Sequence, residues 1–108
     1  MTFDDYQEQA FTTALYPNKG KNIYYPALGL GEAGEIQNQV KKIMRDDSGV
    51  ITEERRKNLI KELGDLMWYV AGLCSELNIS MDAVAQQNLA KLQARKEAGT
   101  IQGDGDNR

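Results

Sequence analysis

The chain contains no histidine, a single cysteine (Cys74) and only two prolines. Each scarcity removes a class of chemistry. Without histidine there is no Ser-His triad, no zinc hydrolase built on imidazole ligands, and no di-iron carboxylate bundle of the Glu-x-x-His type. One cysteine allows no internal disulfide, which fits a reducing cytosol. No basic excess is present: 13 Lys and Arg stand against 16 Asp and Glu, for a net charge of −3. A nucleic-acid binder is therefore not expected. The longest apolar run, Leu66 to Cys74, is far too short to span a bilayer. The N-terminus, MTFDDYQEQ, is acidic and polar and does not read as a secretory signal. A cytoplasmic protein with no membrane partner is expected.

What the sequence does have is helical periodicity and paired acids. Its 108 residues make one domain with a limited core, so self-association would aid stability. Four helices are predicted. The first runs from about Phe3 to Leu15, with Thr2 as N-cap and Phe3, Tyr6, Ala10 and Ala14 as its apolar stripe. The second runs from about Ala27 to Arg45; its Gly29, Gly31 and Gly34 suggest close approach of a neighbour. The third, about Glu53 to Leu77, is capped by Thr52 and carries Leu59, Leu63, Leu66, Val70, Cys74 and Leu77 as a stripe. The fourth, about Met81 to Ala98, is capped by Ser80. Residues 1–98 form the domain, and residues 99–108 a Gly/Asp-rich tail without regular helix. No strand pattern competes, so the fold class is all-α.

Glu32 with Glu35, and Glu62 with Asp65, are i,i+3 pairs on the second and third helices. Residues at that spacing share a helix face. Two such pairs on packed helices gather four carboxylates, which cannot all stay ionised without counter-charge. A hard divalent cation, Mg²⁺ or Mn²⁺, takes oxygen ligands and supplies that charge. Metal sites of this kind commonly act on phosphates. On an unbroken helix Glu32 and Glu35 would share the face of Leu28, Ile36 and Ile43, whereas Glu62 and Asp65 fall at the boundary of the leucine stripe. The bland alternative is that these acids are solvated or paired with Lys41, Lys42 or Lys61. Asn88, Lys91 and Arg95 form a polar, cationic stripe on the fourth helix, able to hold phosphate or simply to face solvent. Trp68 lies opposite the leucine stripe, which favours an oligomer interface containing it. Cys74, on the stripe, reads as core. Tyr24 and Tyr25 suit either core or a base pocket.

The run Tyr25-Pro-Ala-Leu-Gly-Leu-Gly-Glu-Ala-Gly-Glu35, followed by Lys41 and Lys42, resembles the MazG-like all-α nucleoside triphosphate pyrophosphohydrolases. Their signature is E-E-x-x-E, a variable gap, then E-x-x-D. Glu32 and Glu35 match the last two acids of the first part. Glu62-Leu-Gly-Asp65 matches the second after 26 intervening residues. Gly31 stands where the first acid of the signature is expected, which bears on auxiliary ligation. The ending from Arg95 to Arg108 also resembles that of small members.

The resemblance implies a four-helix bundle completed by dimerisation, as a homodimer or homotetramer. It also implies hydrolysis of a (deoxy)nucleoside triphosphate to the monophosphate and pyrophosphate by water attack at the α-phosphorus. Glu32, Glu35, Glu62 and Asp65 would be the catalytic metal ligands for Mg²⁺, with Mn²⁺ substituting. The base would be one of these acids or a metal-held hydroxide. Asn88 and Lys91 match an Asn-x-x-Lys stretch that reaches the phosphates, with Arg95 one turn later; Lys42 is a further phosphate candidate. Asn18, Asn22, Tyr24 and Tyr25 are base-pocket candidates by position. The role implied is nucleotide-pool control or house-cleaning, including phage-type (d)GTP processing. The alternatives are a phosphoribosyl-ATP pyrophosphohydrolase and a non-catalytic helical metal-binding or interaction protein.

Overall fold

A computed structural model of the protein describes residues 1–106, so Asn107 and Arg108 of the tail lie outside the described residues. The described chain is helical throughout: α1 (Phe3–Thr12), α2 (Tyr24–Gly29), a 3₁₀ turn (Leu30–Glu32), α3 (Ala33–Asp46), α4 (Glu53–Glu76) and α5 (Met81–Ala98). Thr2, Thr52 and Ser80 cap α1, α4 and α5, each accepting from a backbone N–H of the first turn. At α1 the Asp5 carboxylate also accepts from the Thr2 N–H, completing a reciprocal capping box.

Two helix boundaries differ from the periodicity. The first helix stops at Thr12, where Thr12 and Thr13 hydroxyls donate back to the carbonyls of Gln9 and Ala10. Local side-chain bonds of this kind compete with helix continuation. The second predicted helix is two helices joined by the 3₁₀ turn, and it begins earlier, at Tyr24. Pro26 sits in its first turn, where no N–H donor is needed. Pro26 is fully buried, and a Cβ on Gly72 of α4 would touch it at 3.4 Å. Of the three glycines, only Gly29 marks a close approach: a Cβ there would lie 2.1 Å from the Tyr69 ring. Gly31 and Gly34 face open space. The 3₁₀ turn changes the helical phase, so Leu28 does not share a face with Ile43. Leu28 is 80% exposed and Ile43 is buried.

The α3–α4 hairpin is closed by Arg55. Its Nε donates to Asp47 at 2.8 Å and its Nη1 to Gln39 at 3.4 Å. Ser48 and Gly49 take positive φ in the turn, and the Gly49 N–H donates to the Ile43 carbonyl at 3.0 Å. At the other end of α4, Asn78 adopts positive φ and Ile79 N–H reaches the Cys74 carbonyl at 3.0 Å. Gln7 of α1 locks this corner: its Nε2 donates to Ser75 Oγ and Ile79 O, and its Oε1 accepts from Met81 N–H at 2.7 Å.

The core is small: Ala10, Ala71, Cys74 and Met81, ringed by Tyr6, Trp68, Val70 and Ile79. Cys74 is buried, as its place on the stripe suggests. The stripe is core only in part: Cys74 belongs to it and Val70 packs on it, whereas Leu63 and Leu77 are more than half exposed. Trp68, expected at an intermolecular face, has contacts within the chain. It packs on the core, donates from Nε1 to Thr13 Oγ1 at 2.8 Å and meets Tyr69 edge-on. The expected four-helix bundle is not closed within one chain. Helix α5 packs chiefly against α1, and from Gln86 to Ala94 every residue is exposed. The radius of gyration is accordingly 16.9 Å, against about 13 Å for a compact chain of this length. Among the described residues no helix is long and apolar enough to cross a membrane.

Candidate functional site

The hairpin sets the height of the acids. Glu35 lies 11 residues before the end of α3 at Asp46, and Glu62 lies 9 residues after the start of α4 at Glu53. At about 1.5 Å per residue both sit roughly 14–17 Å from the turn. Glu32, at the end of the 3₁₀ turn, and Asp65, one turn along α4, extend the same level. Glu32 and Glu62 are half-buried; Glu35 and Asp65 are exposed.

The other three acids act together on Glu62. The Glu62 carboxyl is pushed above the usual carboxylate range, first by loss of water around it and then by the negative charges of Asp65, Glu35 and Glu32. Among the described residues none of the four forms an ion pair or a side-chain hydrogen bond. Lys41, Lys42 and Lys61 do not neutralise them. Nor, among the described residues, do any three acidic or cysteine side chains stand close enough to enclose one ion. The quartet is close enough to repel and too open to chelate. The donor set itself suits a hard divalent cation: carboxylate oxygens only, several charges and no resident counter-charge.

Two tyrosines border the acids. The Tyr69 hydroxyl is made harder to ionise by burial, then by Tyr25, Glu32 and Asp65. That of Tyr6 is raised by burial and by Asp65. Neither was singled out for the site by spacing, since aromatic residues on a helix face read as packing.

The remaining candidates fall in three places. Asn88, Lys91 and Arg95 lie on the projecting part of α5, away from the α3–α4 hairpin within one chain. Lys91 and Arg95 come together on Asp106. Lys42 is half-buried on α3, where its charge adds to the larger effects of Arg45 and Arg55 in holding the Asp46 carboxyl low against the opposing effect of burial. Asn22 is committed to the loop: its Nδ2 donates to Pro17 O, and its Oδ1 accepts from Tyr25 N–H at 3.2 Å. Tyr25 stacks on Tyr16 with ring centroids 4.7 Å apart, Tyr24 is exposed, and Asn18 occupies a positive-φ turn.

One buried carboxylate escaped the periodicity altogether. Glu76, in the last turn of α4, accepts from the Tyr16 hydroxyl, from Gly20 N–H at 2.9 Å and from Asn22 N–H at 2.7 Å. Burial alone would raise its pKa. The three donors outweigh that and hold it below the ordinary carboxylate range. Glu76 thus fastens the 16–22 loop, and with it the start of α2, to the helix that carries Glu62 and Asp65.

The described chain is all-helical, with two acidic pairs at i,i+3 spacing on neighbouring helical segments. Residues 24–100 match the MazG nucleotide pyrophosphohydrolase domain, and the chain belongs to that family. It is also similar to the "Gene 37 protein" of Mycobacterium phage L5, at 54% identity over 114 residues covering all of both chains. No solved structure matches the chain.

Proposed function

We propose that this protein hydrolyses a (deoxy)nucleoside triphosphate between the α- and β-phosphorus, releasing the nucleoside monophosphate and pyrophosphate, with Mg²⁺ and with Mn²⁺ as a substitute. The observation that carries the reading is a Glu62 carboxyl raised by loss of water and by the charges of Asp65, Glu35 and Glu32, with no ion pair to any of the four among the described residues, in a chain of this family. These four carboxylates would hold the cation. When bound, it would neutralise charge on the phosphate oxygens and make an attacking water more acidic. One of these acids, or a hydroxide held by the cation, would take the proton of that water.

Asn88, Lys91 and Arg95 are the proposed phosphate contacts, with Lys42 as a further one, and Tyr24, Tyr25, Asn18 and Asn22 the proposed surroundings of the base. Because α5 projects from its own chain, a second copy is the natural route by which such a helix reaches an acidic hairpin. Leu28, Met44, Leu63 and Leu89 are each more than half exposed and suit burial in that pairing. A homodimer or homotetramer follows, and sedimentation should give a multiple of 12.1 kDa. Similarity to a phage protein fits a role in nucleotide-pool control during infection, including (d)GTP processing.

The test is pyrophosphate release from a panel of deoxy- and ribonucleoside triphosphates plus phosphoribosyl-ATP, with Mg²⁺, for the wild type, Glu35→Ala and Asp65→Ala. Release from a nucleoside triphosphate that both variants lose supports the reading. Release from phosphoribosyl-ATP alone replaces the substrate, and no release from anything leaves a non-catalytic binding protein.

A further inference from the structure

The chain beyond α5 turns back onto the helix it has just left. Gly99, at φ +73°, ends α5, and Thr100 N–H donates to the Arg95 carbonyl at 2.8 Å. Asp106 Oδ1 then accepts from Lys91 Nζ at 3.0 Å and from Arg95 Nη2 at 3.1 Å. The same Nη2 donates to the carbonyls of Asp106 at 3.0 Å and Gly105 at 3.4 Å. Lys91 and Arg95, one turn apart on one face, are thereby bridged by a single carboxylate.

Two features show that this carboxylate underfills the cationic site. Arg95 is only 6% exposed, yet its Nε finds no hydrogen-bond partner among the described residues. A buried guanidinium N–H without an acceptor is uncommon in a finished structural ion pair. Beside Lys91, a depression of about 360 Å³ lined by Val84, Gln87, Asn88 and Lys91 continues along the same helix. The occupant faces solvent: the Asp106 side chain is 80% exposed, and its pair with the partly exposed Lys91 contributes little. A polyphosphate brings more charge and more acceptor oxygens than one carboxylate, in the geometry a guanidinium fork prefers.

We propose that Lys91 and Arg95 form a polyanion site for which the protein's own Asp106 carboxylate and a polyphosphate compete, residues 100–106 being a strap that a bound polyphosphate displaces. Taking the polyphosphate to be that of a nucleotide rests on the function proposed above; the competition does not. In the closed arrangement Arg95 is enclosed by the strap, so it becomes available to an incoming phosphate only when Asp106 leaves.

The experiment uses the full-length chain and inorganic pyrophosphate without divalent cation, so that the acidic quartet takes no part. Calorimetric titration of wild type and Asp106→Asn is read beside the heteronuclear NOE of the Gly103 and Gly105 amides. Asp106→Asn should bind pyrophosphate about three- to tenfold more tightly, the factor set by one or two exposed ion pairs. Saturating pyrophosphate should lower the NOE of both tail amides in the wild type. Lys91→Gln should weaken binding and cancel the gain from Asp106→Asn. Unchanged or weaker binding by Asp106→Asn overturns the proposal, since the carboxylate would then be inert or would serve to orient the cations. Tail amides that stay rigid at saturation, or no pyrophosphate binding by any form, overturn it as well. Competition that persists in a protein hydrolysing no triphosphate would sink the enzymatic reading and leave the strap standing.

Discussion

Removing the Glu76 carboxylate tests how the site is held. Glu76→Ala strips the acceptor from the Tyr16 hydroxyl and from the N–H groups of Gly20 and Asn22. A donor left unsatisfied in a buried setting costs about 1–3 kcal/mol. The two loop amides are only partly buried, so water recovers some of that. The three together come to about 3–5 kcal/mol, a large part of the roughly 5–15 kcal/mol that holds a domain together. Tm should fall by more than about 10 °C. Urea denaturation followed by circular dichroism at pH 7 measures the loss. The pH dependence has a definite sign. Because the folded-state pKa of Glu76 is depressed, its contribution is fully present above the unfolded-chain value and is lost as pH falls through the depressed one. The gap between wild type and variant should therefore stay constant from pH 8 down to the ordinary carboxylate range and close only in acid. A loss below about 1 kcal/mol, or a gap that already closes between pH 7 and 6, would refute the reasoning.

Gly29→Ala should destabilise by about 1–3 kcal/mol, because its Cβ would enter the Tyr69 ring. Gly31→Ala, with open space around it, should be neutral or slightly stabilising, and equal urea midpoints for the two variants would contradict the close approach. Glu62→Gln should abolish pyrophosphate release while raising Tm in metal-free buffer at pH 7. A carboxyl with a raised folded-state pKa stabilises the fold below its unfolded value, and that contribution is lost as pH rises through the raised one. A lower Tm for the variant would show that Glu62 is not opposed by its acidic neighbours. Divalent cation at about a hundred times its Kd should add about 2.7 kcal/mol to the wild type and far less to Glu62→Gln, read by thermal shift with and without chelator.

How much of this was legible depends on the range over which each determinant acts. Caps are local, so Thr2, Thr52 and Ser80 were readable directly, and with them the bounds of α4 and α5. The break in the second helix was not. Nor was the close approach of Tyr69 to Gly29 across 40 residues of sequence, since Gly31 and Gly34 look the same in the chain and a Cβ there would meet nothing. The leucine stripe marked the core at Val70 and Cys74 but not at Leu63 and Leu77, because periodicity reports that a face wants cover without saying whether the cover lies in the same chain. The acid pairs were legible from spacing, and their coupling at Glu62 is a tertiary fact added by the hairpin. Glu76 left no sequence signal, since one acid at the end of a long helix looks solvated until the loop that covers it is known. Asp106 carried only a compositional hint, the Gly-Asp-Gly-Asp tail. Its partners Lys91 and Arg95 were read as facing phosphate or solvent, never the chain's own carboxylate.

The central claim is that Glu32, Glu35, Glu62 and Asp65 act as one ligand set. Mn²⁺ titration followed by electron paramagnetic resonance, on the wild type and on the four single amide variants, addresses it most directly. Saturable Mn²⁺ binding is expected, weakened by about tenfold or more by every one of the four substitutions, while each variant remains helical. Mn²⁺ affinity left intact by replacement of any one acid from each pair would contradict it.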